Sequence, residues 1–310
     1  MATAKRRILL LVDGSDQSYD LINYISKAYI LWQTEVVLFN VLDPVPDSFW
    51  DWEKDPLGPQ YLTFLKDWES KQMNKMLDFM QRARQVLISA GAEENLINIK
   101  VQKRQTGIAR DALAEAKSGY DAVALGRRGL GAIPDPALGN VAGKMLGSLT
   151  TVPLCIVGGK PRLGRVLIGL DNSAGALRAA SFVGKYLGSS NPAVTLAHVV
   201  RNPERLSPEL LSEAYTQRLM ESAQAAILPV FNKVTRSLTT AGIKTPQITT
   251  KVITGVGSRA GALLDEARHG MFGSLVIGRR GVSEVVQFQM GRVAAKLTQI
   301  SNEMALWIVA

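Results

Sequence analysis

The chain has 310 residues, 46% of them hydrophobic, and a formal charge of +9, which is length enough for two domains of ordinary size. Its single cysteine, Cys155, excludes an intrachain disulfide and a thiolate metal cluster, and no apolar run approaches the roughly 20 residues of a membrane span, so a cytoplasmic protein is expected. The charge is uneven: residues 1–160 carry 19 Lys+Arg against 18 Asp+Glu and residues 161–310 carry 17 against 9, or +1 and +8, but the few aromatics of the basic half take core-like positions, which argues against nucleic acid as a partner.

In chain order, Met1-Ala-Thr-Ala-Lys-Arg-Arg7 leads straight into a strand, Ile8-Leu-Leu-Leu-Val12, that ends in Asp13-Gly14-Ser15. A helix is expected over about 16–31, a strand over 35–42, a long segment ending in a helix over 60–90, and a strand over 97–104. A helix over 107–118 and a strand over 121–126 follow. The chain then reads Gly126-x2-Gly129-x9-Gly139, a helix over 139–149 and a strand over 153–158. From Arg165 onward the same order returns. Val166-Leu-Ile-Gly-Leu170 ends in Asp171-Asn172-Ser173, and Val194 to Val199 repeats Val36 to Val41, both at an offset of 158. Gly278-x2-Gly281-x9-Gly291 and Ala305 to Val309 repeat their counterparts at 152. The first copy therefore holds a net six extra residues in its middle, placed within Asp43 to Trp68.

Apolar strands alternating with amphipathic helices indicate parallel sheet covered on both faces, with one domain over 1–160 and a second over 161–310, joined through Gly158 to Gly164. The last strand of each copy, Val152 to Val157 and Met304 to Val309, is β-rich and lacks a partner of its own. The two are expected to pair about a pseudo-twofold axis, making an internal dimer.

Each glycine run follows a strand and precedes a helix. Absent side chains let backbone N–H groups approach an anion, and the free N–H groups of the helix's first turn add positive charge, so phosphate is the expected guest. Asp13 and Asp171 end the first strand of each copy and share that crevice if first and fourth strands are neighbours. A carboxylate there suits ribose hydroxyls, a base amino group or a divalent cation, whereas Ser15 and Ser173 suit helix caps and ligand contact equally. One arginine of each pair, Arg127-Arg128 and Arg279-Arg280, is expected at the phosphates because guanidinium matches phosphate geometry. Only two histidines occur, His198 inside a strand and His269 at a helix end, and neither has a triad or metal-set arrangement. A Walker loop is absent.

These residues resemble the universal stress protein family in its ATP-binding branch, over essentially the whole chain as two family domains in tandem. The resemblance implies two α/β open sheets of five parallel strands each, order 3-2-1-4-5, with helices on both faces, an adenine nucleotide alpha hydrolase-like fold. It implies ATP, ADP or AMP as ligand, Mg²⁺ as an accompanying ion, and a further homodimer as an option. Its ligand contacts carry over to Asp13, Val41, Gly126, Arg127, Arg128, Gly129, Gly139, Asn140 and Val141, and to Asp171, Val199, Gly278, Arg279, Arg280, Gly281, Gly291, Arg292 and Val293. Asn140 and Arg292 stand where the family has Ser or Thr, and Pro134 and Pro136 remove N–H donors from the first loop only, so the two sites should differ. Phe49, Trp50 and Trp52 suggest a lid or partner surface over the first site, or local packing. The role implied is a nucleotide-holding stress or regulatory module; a slow ATP-hydrolysing enzyme and a scaffold with degenerate sites are the alternatives.

Overall fold

The computed structural model describes residues 6–43, 58–129, 138–188, 191–201, 213–281 and 289–310. Phe49, Trp50, Trp52, Pro134 and Pro136 lie outside the described residues. The first half contains β1 (Arg6–Leu11), α1 (Asp16–Ala28), β2 (Thr34–Leu42), α2 (Gly58–Ser89), β3 (Ile97–Lys103), α3 (Ile108–Ala116), β4 (Ala122–Gly126), α4 (Asn140–Ser148) and β5 (Leu154–Val157). The second contains β6 (Arg165–Gly169), α5 (Ala174–Tyr186), β7 (Ala193–Arg201), α6 (Glu213–Thr240), β8 (Ile248–Val256), α7 (Arg259–His269), β9 (Ser274–Gly278), α8 (Arg292–Ile300) and β10 (Ala305–Val309).

The expected pair of sheets is one sheet of ten strands, in the order β3-β2-β1-β4-β5-β10-β9-β6-β7-β8. Each half keeps the order 3-2-1-4-5 with parallel pairing, and the halves join where β5 meets β10 antiparallel. The physical reason for a single sheet is that two short, fully buried strands would each leave a row of backbone donors and acceptors unpaired; together they satisfy one another. Central strands are apolar on both faces, as β1 and β4 show, because helices cover both sides. The outer strand β3 instead alternates in burial and carries Lys100 and Lys103, which guard an open edge. Both core layers run across the junction: Ile8, Leu38, Cys155, Val166 and Trp307 share one, and Leu9, Leu154, Leu167 and Leu306 share the other.

At the junction Trp307 lies opposite Cys155 in the β10–β5 register, and these are also repeat counterparts, 307 − 155 = 152. The pseudo-twofold axis thus passes between them. Trp307 is fully buried, 6.1 Å from the Tyr29 ring and 4.8 Å from the Phe182 ring by centroid, and its Nε1–H donates to Tyr24 Oη at 2.8 Å. Tyr24 Oη also shares a 2.8 Å hydrogen bond with Ser274 Oγ, and burial drives its phenol pKa well up. Tyr186 donates to Asp121 Oδ1 at 2.9 Å, and the N–H of Ile30 donates to the Tyr186 carbonyl at 2.9 Å. Cys155, at 0% exposure, has its thiol pKa pushed up by burial, as suits a packing residue.

Two arginines from the glycine loops complete the junction. Arg127 donates through Nη1 to the carbonyls of Thr298 (2.6 Å) and Ser301 (3.1 Å), and through Nη2 to that of Gln299 (2.9 Å), at the C-terminal end of α8. Arg279 donates through Nη1 to the Leu149 carbonyl (3.0 Å) and through Nη2 to that of Leu146 (2.5 Å), at the end of α4. The acceptors correspond at the repeat offset, 146 with 298 and 149 with 301. Both guanidinium groups are buried, at 2% and 4% exposure, and each meets carbonyls that a helix end leaves unpaired at its negative pole. Burial first, and then Arg128 or Arg280 alongside, lowers their pKa values; arginine stays charged across the physiological range.

Asp111 ties the approach to α3. Its carboxylate accepts from Thr106 Oγ1 (2.6 Å), Gln105 N (2.7 Å) and Thr106 N (3.1 Å), and these bonds, that from the Thr106 hydroxyl foremost, hold its pKa down to about 2.

Two outcomes are expected. Arg279→Ala strands the Leu146 and Leu149 carbonyls and should lower the unfolding free energy of the full chain by about 2–4 kcal/mol in urea titration; a loss under about 0.5 kcal/mol would show that water serves those carbonyls equally well. For Asp111, a folded pKa of about 2 against an unfolded value of about 3.9 means that the ionised carboxylate stabilises the fold above about pH 4, a gain lost as pH falls toward 2. The urea midpoint of Asp111→Asn should therefore lie below that of the parent at pH 6, with the gap closing over that acid window.

Candidate functional site

Pairing of β1 with β4 and of β6 with β9 brings the two chemical segments of each half together. In an open parallel sheet the crevice beyond the strand ends opens where strand order reverses, here between those pairs. The aspartates at the crevice have divided duties. Asp171 Oδ1 accepts from Ser173 N (3.0 Å) and Ser173 Oγ (2.5 Å), and Ser173 caps α5 by accepting from Ala176 N at 3.1 Å. Asp13 Oδ1 likewise accepts from Ser15 N (3.0 Å), Ser15 Oγ (2.6 Å) and Ser18 Oγ (2.7 Å), and Ser15 caps α1. Both serines are thus helix caps, held in place by the aspartates.

The second carboxylate oxygen explains a glycine in each loop. A Cβ on Gly281 would stand 2.7 Å from Asp171 Oδ2, and one on Gly129 would overlap Asp13 Oδ2. Bare backbone at these positions lets loop and carboxylate close on one another. Each loop is then cinched across its neck: Gly139 N–H donates to the Arg127 carbonyl at 3.0 Å and Gly291 N–H to that of Arg279 at 2.8 Å. The helices beyond, α4 and α8, start from Gly139 and Gly291 with no side-chain cap, in contrast to α1, α5 and α7, which start from Ser15, Ser173 and Ser258. First-turn N–H groups of α4 and α8 are therefore left without the serine acceptor that serves α1, α5 and α7.

In the second half the crevice is a cavity of about 590 Å³, and its lining includes Asp171, Val199, Gly278, Arg279, Arg280, Gly281, Gly291, Arg292 and Val293. All nine second-half residues expected from sequence meet there. The guanidinium of Arg279 is the exception in role, since it is turned into the junction and Arg280 is left as the arginine of that loop beside the cavity. The same holds in the first half, where Arg127 is spent on α8 while Arg128 stays at the loop, its N–H bonded to Gln17 Oε1 at 2.7 Å. Val41 is buried at the end of β2, and Asn140 and Val141 open α4 behind Gly139. Gly126 packs against Gln17 of α1, and its counterpart Gly278 against the backbone of Gly175 in α5.

The structure adds residues that sequence reasoning left out. His198 lines the second cavity, its Nδ1 2.7 Å from the Leu170 carbonyl. Its counterpart Asn40, at 198 − 158, donates from Nδ2 to the Val12 carbonyl at 2.7 Å. Both side chains thus clasp the end of the central strand, and aligning the copies would have paired them. Arg259, the first residue of α7, and Ala223, Ala226 and Ile227 of α6 complete the wall. Among the described residues no group of three His, Cys, Asp or Glu side chains could hold a metal, and no helix is long and apolar enough to cross a membrane.

Comparison with known proteins bears on the fold. The fold is similar to that of a universal stress protein from Archaeoglobus fulgidus DSM 4304 (18% identity, 99% of each chain, TM-score 0.60). It is also similar to that of a functionally unknown protein from Pseudomonas aeruginosa PAO1 (12% identity, 99% of this chain and 92% of that one, TM-score 0.57). A universal stress protein in complex with cAMP matches 47% of this chain and 96% of its own (22% identity, TM-score 0.35). No curated protein matches. The model of the universal stress protein family matches residues 5–157 and again 163–306, and the chain belongs to that family as a tandem of two of its domains.

Proposed function

We propose that the chain is a nucleotide-holding module of the stress response that binds an adenine nucleotide, ATP or a shorter relative, in the cavity of its second half. The observation that carries this reading is the convergence of Gly281, Gly291, Arg280, Arg292 and Asp171 on one cavity of about 590 Å³, within the roughly 300–1,000 Å³ of small-molecule sites. A Cβ at Gly281 would collide with the Asp171 carboxylate, so the loop is drawn tight by design of its backbone, leaving main-chain N–H groups and the start of α8 to meet phosphate oxygens. Val199 offers an apolar wall at the end of β7 for a base, and Asp171 Oδ2 an acceptor for ribose hydroxyls. Mg²⁺ would arrive on the phosphate chain, with Asp171 as the carboxylate at hand; a protein-only cage does not fit the described residues. The first half supports a second, different site on Asp13, Gly129 and Gly139. Signalling through shape or partner binding, with hydrolysis slow or incidental, is the mode this arrangement favours.

Denaturing the purified chain and weighing the released small molecules should reveal an adenine nucleotide, and titration of emptied protein should recover it. Gly281→Val is expected to abolish uptake at the second site, at least a hundredfold in affinity or about 2.7 kcal/mol, while urea unfolding stays cooperative. Undiminished uptake in that variant, or no adenine nucleotide bound by the parent at millimolar concentration, would overturn the reading.

A further inference from the structure

The second cavity carries more positive charge than a phosphate loop requires. Arg280 and Arg292 stand at the glycine loop beyond β9, and Arg259 closes the lining from the side of β7 and β8. Arg259 Nε donates to the Val199 carbonyl at 3.5 Å, which ties it to the end of β7. Two residues beyond Val199, Arg201 has its Nε buried with no hydrogen-bond partner among the described residues. These groups act on one another. Partial loss of water lowers the pKa of Arg259, Arg201 and Arg292 lower it further, and Asp171 pulls the other way. Three guanidinium groups beside the loop and its flank, Arg259, Arg280 and Arg292, thus share the cavity lining with one carboxylate, Asp171, and Arg201 adds its charge behind Arg259, an arrangement that favours an anion.

The first half lacks this surplus on the same frame. The 158 offset sets Asp43 against Arg201, and 248 − 97 = 151, from the starts of β8 and β3, sets Ile108 against Arg259. The 152 offset sets Asn140 against Arg292, and only Arg128 matches Arg280. Asp43 is itself paired with Arg104 at 2.7 Å. The first half thus builds the same glycine loop on the same frame without these arginines.

Their placement separates two positive groups. In the order β9-β6-β7-β8, one stands at β9 and the other at β7 and beyond β8, two to three strand spacings or about 10–14 Å apart at the backbone, with Asp171, just past the end of β6, between them. A phosphate chain lying on the glycine loop leaves Arg201 and Arg259 without a counter-charge, while the ribose lies at Asp171. Resting on the nucleotide reading above, we infer that the second site takes a nucleotide with an additional phosphate on its ribose, the 5′-phosphate lying on the glycine loop and the ribose phosphate on Arg201 and Arg259. Guanidinium is suited to such a group by its bidentate fit to phosphate.

Calorimetry on the full chain with three isomers of similar charge, ADP, adenosine 2′,5′-bisphosphate and adenosine 3′,5′-bisphosphate, tests this directly. One bisphosphate is expected to bind about tenfold or more tightly than ADP, and that ratio should fall to about one in the Arg201→Gln/Arg259→Gln variant. Binding of ADP with neither bisphosphate ahead of it overturns the inference and leaves the nucleotide reading intact, as does a ratio that survives in the variant. Failure of all three isomers to bind overturns both.

Discussion

Two buried cations hold this molecule at its most constrained point. Taking a guanidinium out of water is costly, and it persists only where several acceptors replace the lost hydration. Arg127 and Arg279 find those acceptors at the carbonyl end of a helix that belongs to the other half. Each also works through its backbone. The N–H groups of Arg127 and Arg279 extend the sheet by donating to the carbonyls of Val157 and Val309, and their own carbonyls receive the N–H groups of Gly139 and Gly291 that close the loop necks. One residue type thus fixes the last strand, the glycine loop and the opposing helix together. The shape of each crevice depends on the halves being docked.

Within that shared frame the two crevices diverge. The backbone devices are duplicated with little change: a carboxylate braced by a serine cap, a glycine pressed against it, and a helix begun on glycine without a side-chain cap. What differs is the set of side chains on the walls. His198 takes the place of Asn40, and arginines replace Asp43, Ile108 and Asn140. The glycines and aspartates that shape each loop are held twice, whereas several side chains around the second cavity differ from their counterparts. Unequal ligands are the natural outcome of such a division.

Much of this was legible in the chain itself, and the reason is periodicity. Two glycine runs at one offset, two aspartates at strand ends and alternating apolar strands and helices define the repeat and bring aspartate and glycine loop to one crevice, while the strand order within each half and Val199 at the cavity were implied by the family resemblance. The pairing of the last strands was legible too, because an unpaired apolar strand demands a partner. Three features were not. The antiparallel register that sets Leu154 to Val157 against Ala305 to Ile308, and so runs the halves on as one sheet, is encoded by no local pattern. The direction of Arg127 was hidden because its acceptors lie more than 170 residues away, at a helix end whose need for donors is visible only in three dimensions. His198 looked like a strand interior because its bond to the Leu170 carbonyl is made across the sheet.

The residues on the pseudo-twofold axis carry a consequence for self-recognition. Cys155 and Trp307 face one another there, a small side chain against the largest, both sealed from water. A lone first half mated to a copy of itself would set cysteine against cysteine and leave a hole; a lone second half would force two indoles into room made for one. Each edge is therefore a mismatch for its twin and a match for its tethered neighbour. Mixed-size packing at a single spot makes the chain prefer its own other half over any stranger's, so covalent fusion and shape together guard against exchange of halves between molecules.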